Sequence, residues 1–410
     1  MGSLDYQNNE LHFGENNIAK IASDYPTPFY LYFAQDIINQ YQRFRQQALE
    51  YKIFDQQICF ALKANPNPHL LQALFKEGAG ADIVSGGELK RALENGCNPN
   101  KIVFSGVGKT EAEIKYALKQ NIYSFNVESF EELREINQLA EEMGKTARFA
   151  FRVNPIVNVK THRYISTGYK THKFGILKKD ILKFIKNELP ELKHVQLKGL
   201  SVHIGSQLTD FKATKKAIAE VCEIAHELDF PLEFIDVGGG LGVNYYKEQN
   251  FNALDVYMKT VAKTLKKGLK GLKPKPTIVF EPGRFISASS GLFITKVVRT
   301  KKSDGCRFVI VDGGMNDFVR TSLYEAFHKI VPLSKDEDKK EVTTEIVGPI
   351  CETSCSFASN YKIQELQKND LIAVLDVGAY GHSMSSTYNL RNRPKEVVIG
   401  ADQKVEVFEH

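Results

Sequence analysis

The sequence predicts an α/β fold: a TIM-type (β/α)8 barrel followed by an all-β domain. Three observations predict it. Between residues 57 and 284, eight short runs rich in β-branched and aromatic residues recur. Longer amphipathic segments separate them. Beyond Arg284 the texture changes to alternating apolar strands with turn residues between and little helical periodicity. Eight strands separated by helices is the count that closes such a barrel.

The first element is FYLYF (29–33), which follows Pro26 and Pro28 and precedes the first amphipathic segment, 36–49. It adds a strand to the later β domain, so that domain draws on both ends of the chain. The expected division is a barrel over 36–284 and a β-sandwich or barrel-like domain over 1–35 plus 285–410, the latter contributing substrate and dimer contacts. The barrel runs are ICFALK (58–63), GADIV (80–84), IVFSG (102–106), YSFNV (123–127), RFAFRVN (148–154), GLSVHIG (199–205), EFIDVGG (233–239) and TIVFEPG (277–283). Segments such as 128–143 and 213–228 carry apolar residues at three- and four-residue spacing, with charges between. The polar stretch 158–173 is longer than a connection needs, and long irregular loops in compact domains usually cover or bind something. After Arg284 come ITKVVRT, RFVIVDGG, EVTTEIVGP, LIAVLDVG, EVVIG and KVEVF, the strands of the second domain.

Composition narrows the function. With 42% hydrophobic and 25% charged residues in 410, the chain can build full cores. Its 54 basic and 49 acidic residues are mixed, with no basic stripe interleaved with aromatics, which argues against a nucleic-acid partner. The six cysteines (Cys59, Cys97, Cys222, Cys306, Cys351, Cys355) are scattered, as expected in a reducing compartment. Cys351 and Cys355 form a CxxxC without a second Cys/His pair, so no metal site is expected. MGSLDYQNNELHF lacks a basic segment followed by an apolar one, and no apolar run approaches ~20 residues, so a cytoplasmic protein with no membrane contact is expected.

In a barrel of this kind the active site is assembled at the C-terminal ends of the strands. The polar residues expected there are Lys63, Asp82, Ser85, Ser105, Asn126, Asn154, His203, Gly238, Gly239, Gly240 and Glu281. Lys63 closes the first run among apolar neighbours, where partial desolvation favours the neutral, nucleophilic amine that a Schiff-base lysine needs. A solvated lysine just past a strand end is the commoner reading of that residue alone. DVGGGLG (236–242) offers backbone N–H groups that can cradle a phosphate, although glycine-rich turns also arise for steric reasons. Its spacing does not fit the dinucleotide fingerprint. Glu281-Pro-Gly-Arg284 places a carboxylate and a guanidinium at the end of the last strand, and both need partners in a pocket. The pyridine nitrogen of pyridoxal phosphate (PLP) would suit the first, an anionic phosphate or carboxylate the second; a structural ion pair at the domain junction is the alternative. His203 could stack on a flat cofactor while Ser206 hydrogen-bonds its phosphate, or be a satisfied core histidine.

Taken together, CFALKANPN, GAGADIVSGGEL, FSGVGKT, FNVES, RVNP, KTHRYISTGYKTHKFGI, GLSVHIGSQ, DVGGGLGV, EPGRFI, DGGMNDFVRTSLYEAFH, GPICETSC and GAYGHSMSSTYNLRNRP resemble the fold-type III PLP-dependent amino acid decarboxylases, and within them the diaminopimelate decarboxylase family. The resemblance spans about residues 27–398. It implies that Lys63 carries PLP as a Schiff base, Asp82 lines the cofactor pocket and His203 stacks on the ring. It further implies that Ser206, Gly238, Gly239, Gly240, Gly283, Arg284 and Tyr380 surround the phosphate end and that Glu281 binds the pyridine nitrogen. A carboxylate there keeps the nitrogen protonated and the ring a full electron sink. The related alanine racemases place an arginine at that point, so Glu281 favours decarboxylation.

By the same resemblance Cys351 is the proton donor, reaching the site from the second subunit of a homodimer whose active sites are completed across the interface. Arg284, Arg320, Tyr324 and Tyr380 contact the substrate, the arginines gripping the distal carboxylate of meso-2,6-diaminopimelate, and Glu352 takes its distal ammonium. The implied reaction is decarboxylation to L-lysine and CO2, the last step of lysine biosynthesis. Decarboxylases of ornithine, lysine or carboxynorspermidine type are the alternative, but a bare distal ammonium has little use for arginines. A non-catalytic PLP-binding single barrel would lack the β domain. The family pattern has an acidic residue shortly after Cys-Glu-Ser, whereas this chain reads Cys351-Glu352-Thr353-Ser354-Cys355, which leaves the contacts to the distal end of the substrate open. The segment 169–176 would act as a lid that shields the reacting carbon.

Overall fold

The computed structural model describes residues 4–157, 173–246 and 253–409. These form two compact units, one from the described parts of Tyr41–Val243 and Phe251–Phe285, the other from those of Met1–Gln40, Asn244–Asn250 and Ile286–His410.

The first unit is a closed barrel of eight parallel strands: Gln56–Ala61, Gly80–Ile83, Ile102–Phe104, Ser124–Val127, Ala147–Arg152, Val195–Ser201, Phe234–Asp236 and Thr277–Phe280, the last pairing with the first. Every expected strand is present, and all but Ser124–Val127 end before their runs do. Pro282 has no N–H to extend the last strand, and its carbonyl accepts from Ala61 N at 3.3 Å, closing the seam. Lys63 therefore does not close the first strand as expected. It sits on a 3-10 turn, Leu62–Ala64, just beyond it. The polar residues at the strand ends thus belong to short turns, where a side chain can be aimed without breaking ladder pairing.

Outside the barrel, amphipathic helices return the chain. Phe130–Glu142, for example, buries Leu133, Ile136, Leu139 and Ala140. Their starts are set by local chemistry. Asn67, Ser85, Thr110 and Ser129 each accept a backbone N–H as N-cap, and Thr110 with Glu113 completes a reciprocal capping box. These caps place the helix N-termini at the strand C-terminal end of the barrel, beside the polar turns.

The second unit is mostly β. Strands run in the order Ser356–Gln364, Glu341–Val347, Cys306–Val311, Gly291–Ser303, Phe29–Phe33, Lys395–Ile399, Val405–Phe408, with Leu371–Val374 pairing Gly291–Ser303 and Ile330–Pro332. Phe29–Phe33 pairs antiparallel with Gly291–Ser303 and parallel with Lys395–Ile399, which knits the N-terminal residues into the C-terminal sheet. Phe13, Ile18, Phe29, Leu31, Phe33, Leu292, Ile294 and Val397 form its core. Elements not anticipated from the sequence include the short strand Ile330–Pro332 and two others. One is the strand Ser356–Gln364, half-exposed and polar, with Asn360 at positive φ beside register shifts. The other is a small sheet of Leu4–Gln7, Glu10–Phe13 and Asn16–Asn17, whose first turn places Asn8 and Asn9 both at positive φ.

Candidate active site

Three acidic side chains converge at the strand C-terminal end of the barrel, all buried: Asp82 from the second strand, Asp236 from the seventh and Glu281 just past the eighth. Lys63 Nζ pairs with Asp82 Oδ2; the lysine side chain is one-third exposed and the aspartate 1%. The amine thus faces outward while its counter-charge is sealed beneath it. Burial, then the neighbouring Glu281 charge, push the Asp82 carboxyl up despite the lysine.

Glu281 is the most densely held of the three. Ser105 Oγ donates to its Oε1 at 3.4 Å and Asn126 Nδ2 at 3.2 Å. Burial alone would raise its carboxyl, but His203 and Asp236 beside it outweigh burial and hold it down at about 2. Asp236, fully buried, is driven the other way, by burial first and by the Glu281 charge second. His203 Nδ1 lies 3.7 Å from Glu281 Oε2 and 3.2 Å from the Gly239 N, so the ring is fixed between the carboxylate and the glycine turn.

The glycine turn after the seventh strand closes the floor. Gly238 N–H donates to Asp236 Oδ1 at 2.9 Å, bending the chain as soon as the strand ends. A Cβ on Gly239 would stand 2.0 Å from the Glu281 carbonyl oxygen, and Gly240 has φ +97° with a Cβ position 2.3 Å from the Gly205 carbonyl oxygen. Next to this turn Arg284 Nη2 donates to Ser206 Oγ at 3.1 Å, and a Cβ on Gly283 would stand 3.0 Å from the Ala64 Cβ and 3.1 Å from that of Ala61. An amine, a buried anion, an imidazole face, a glycine turn and an arginine–serine pair are therefore assembled in one unit. That set suits a ligand with a carbonyl to capture, a protonated aromatic nitrogen and a phosphate: the amine takes the first, Glu281 the second, the turn with Arg284 and Ser206 the third.

Residues without an assigned role in the sequence frame the site. Arg152 Nη1 pairs with Glu128 Oε1 at 2.5 Å, both buried, and Arg152 Nη2 donates to the His203 carbonyl at 3.3 Å. Glu128 also accepts from Gly106 N at 3.2 Å and Gly175 N at 2.8 Å, tying three loops together. Arg152 and Asp236 ended their strands among apolar residues, the signal that would have marked them. Of the expected lid, 169–172 lies outside the described residues, as does 158–172 of the long polar loop; Phe174 lies under the Arg152 guanidinium at 4.7 Å.

Asn154, also in the barrel unit, accepts the Ile156 N–H through Oδ1 at 3.1 Å, and the expected residues from Arg320 onward lie in the β unit. Arg320 and Tyr324 occupy the short helix Arg320–Tyr324. Arg320, 4% exposed, donates through Nη1 to Tyr245 Oη at 3.2 Å and to His328 Nε2 at 2.7 Å, while His328 Nδ1 donates to the Leu375 carbonyl at 2.8 Å. The guanidinium is thus held over the Tyr245 ring, 5.1 Å from its centroid. Cys351 and Glu352 are exposed on the turn after Glu341–Val347. Cys351 N donates to Asn389 Oδ1 at 3.2 Å, and Ser354 Oγ to Glu352 Oε1 at 2.7 Å. Cys355 is buried, its Sγ accepting from Met315 N at 3.3 Å. Tyr380 stands at φ +56° after Leu371–Val374.

Comparison with known proteins is consistent over the whole chain. The family model described as "Pyridoxal-dependent decarboxylase, pyridoxal binding domain" matches residues 34–288. A diaminopimelate decarboxylase of Aquifex aeolicus is 42% identical over 400 residues, 97% of this chain and 92% of the relative. The crystal structure of diaminopimelate decarboxylase from Helicobacter pylori complexed with L-lysine superposes with TM-score 0.88 at 42% identity, covering 95% of each chain. That from M. jannaschii in complex with L-lysine superposes with TM-score 0.93 at 34% identity, covering 100% of this chain and 95% of the other.

Proposed function

The chain belongs to the pyridoxal-dependent decarboxylases, among the diaminopimelate decarboxylases, and from that premise we propose that it converts meso-2,6-diaminopimelate to L-lysine and CO2, as the last step of lysine biosynthesis. PLP is the cofactor. When bound, it supplies a conjugated ring that accepts the electron pair left by departing CO2. The observation that carries the reading is Glu281, a carboxylate held ionised inside the barrel mouth beside Lys63.

Each residue then has a task. Lys63 is the covalent anchor, with Asp82 steadying its charge. Glu281 would hold the pyridine nitrogen in its protonated form, His203 would stack on the ring, and Ser206, Arg284, the glycine turn and Tyr380 would take the phosphate end. Arg320 with Tyr324 receives the distal carboxylate; the contacts from Tyr245 and His328 support this role, because a pre-oriented guanidinium loses little freedom on binding. Glu352 takes the distal ammonium. Cys351 returns a proton to the reacting carbon from the second subunit of a homodimer, and its exposure in the single chain supports that assignment. The protein works in the cytoplasm; among the described residues no helix is long and apolar enough to cross a membrane.

Substrate choice is tested at Arg320. Arg320→Leu should lower kcat/KM for diaminopimelate by about 100-fold or more, the order expected when a charged carboxylate contact is lost, with PLP loading unchanged. Equal turnover of diaminopimelate by variant and parent would remove the arginine from the site. Release of CO2 from L-ornithine or L-lysine by the parent would move the assignment to the decarboxylases of single-headed amino acids.

A further inference from the structure

Beneath the pyridine-binding position lie two carboxyls that cannot both be charged at low cost. Asp236 and Glu281 are both buried, their side chains meet at one amide donor, and each acts on the other's ionisation. A hydrogen bond between two carboxyls requires a proton on one of them. The same Asn126 Nδ2 reaches Asp236 Oδ2 at 3.1 Å and Glu281 Oε1 at 3.2 Å, so both oxygens are aligned on one donor. Two ionised carboxylates in this geometry would repel each other in a medium with little water. We propose that Asp236 is a positioning residue that stays a neutral carboxylic acid and donates its proton to Glu281, so that Glu281 remains an anion for the pyridine nitrogen.

Burial and charge decide which of the two carries the proton. Asp236 is 0% exposed at the end of an apolar strand, and it accepts from Gly238 N–H and Asn126 Nδ2. Glu281 is 5% exposed, takes hydrogen bonds from Ser105 and Asn126, and lies in the field of Lys63. The directions of their shifts agree: Asp236 is raised and Glu281 lowered. Asp82, the third carboxyl, is paired with Lys63 and so does not compete for the shared proton. The hydrogen bond from Asp236 also fixes the Glu281 carboxylate in rotation, because Oδ1 of Asp236 is tied to Gly238 N at 2.9 Å and cannot swing. The glycine turn at the phosphate end and the anion at the nitrogen end of the cofactor are thereby coupled through one side chain.

This inference rests on Glu281 facing the pyridine nitrogen, and its test separates the two claims. Infrared spectra of the protein, with and without PLP, are taken in mildly alkaline buffer, where Glu88 (about 7) and Asp317 (about 6) have ionised. A carbonyl band of a protonated carboxylic acid should be present and should disappear in Asp236→Asn. PLP affinity is then measured on refilled apoprotein. Asp236→Asn, neutral and still a donor, should bind PLP within about threefold of the parent, and Asp236→Leu, with no donor, about tenfold or more weakly. No protonated-acid band, a band that survives in Asp236→Asn, an Asp236→Asn variant as weak as Asp236→Leu, or an Asp236→Leu variant that binds normally would each overturn the proposal. Should Asp236→Leu not fold, the band and the asparagine variant still decide. Glu281→Gln binding PLP with unchanged affinity and absorbance would remove the pyridine contact alone, since the band is read without cofactor.

Discussion

At the scale of single residues, the site is a problem of placing charge where water is scarce. Glu88 illustrates the cost outside the reacting centre. It sits in the first turn of Gly86–Glu94, and its Oε2 accepts the Val84 N–H at 2.7 Å. Burial pushes its carboxyl up to about 7, against the pull of Lys63 and the Val84 hydrogen bond. A carboxyl raised above its unfolded value of ~4.3 favours the folded state below that value, and the advantage is lost as pH rises through about 7. Glu88→Gln keeps the acceptor and removes the charge. The variant should match the parent near pH 4 and exceed it by about 1–3 kcal/mol above pH 7, read by thermal unfolding across that range. A difference independent of pH would mean that Glu88 is solvated. Lys63, His203 and Glu281 were legible in the sequence because each ends an apolar strand run with a residue that is out of place there. Asp236 and Glu128 were harder, because their meaning lies in partners from distant strands, Glu281 and Arg152, which no local pattern joins.

At the scale of elements, the turns after the strands do the aiming. All eight barrel strands could be read from periodicity, but most of their ends could not, because in all but Ser124–Val127 the run continues past the last ladder residue. Lys63 shows the consequence: it lies on the turn Leu62–Ala64, and its amine is set by that turn. The polar edge strand Ser356–Gln364 was missed because few of its residues are buried. The Asn8-Asn9 turn did carry a readable signal, as asparagine tolerates positive φ at both central positions. The glycine turn makes the strongest prediction at this scale. Gly239→Ala must displace the Glu281 backbone, since the new Cβ would meet its carbonyl oxygen at 2.0 Å. PLP affinity should fall by about tenfold or more while far-UV circular dichroism is retained. Unchanged affinity would show that the turn can shift without consequence for the cofactor end.

At the scale of the whole molecule, fold class was legible from the alternation of eight runs and the change of texture after Arg284, and the β unit's use of both chain ends follows from one apolar strand, Phe29–Phe33, flanked by partners about 260 and 370 residues away in sequence. The residues expected to act on substrate are divided between the two units, with Lys63, Glu281 and His203 in the barrel and Arg320, Tyr324, Cys351, Glu352 and Tyr380 in the other. If active sites are completed across a homodimer, mixing Lys63→Ala and Cys351→Ala subunits should restore about one quarter of parental activity, because half the dimers are mixed and each mixed dimer holds one intact site of two. No recovery on mixing, with subunit exchange verified, would place Cys351 and Lys63 of the same chain in one site. The most direct measurement for the account is product analysis of the PLP-loaded protein with meso-2,6-diaminopimelate. It should release CO2 and L-lysine in equal amounts, and Lys63→Ala should release neither; absence of L-lysine from the parent, or its formation by the Lys63→Ala variant, would contradict the assignment.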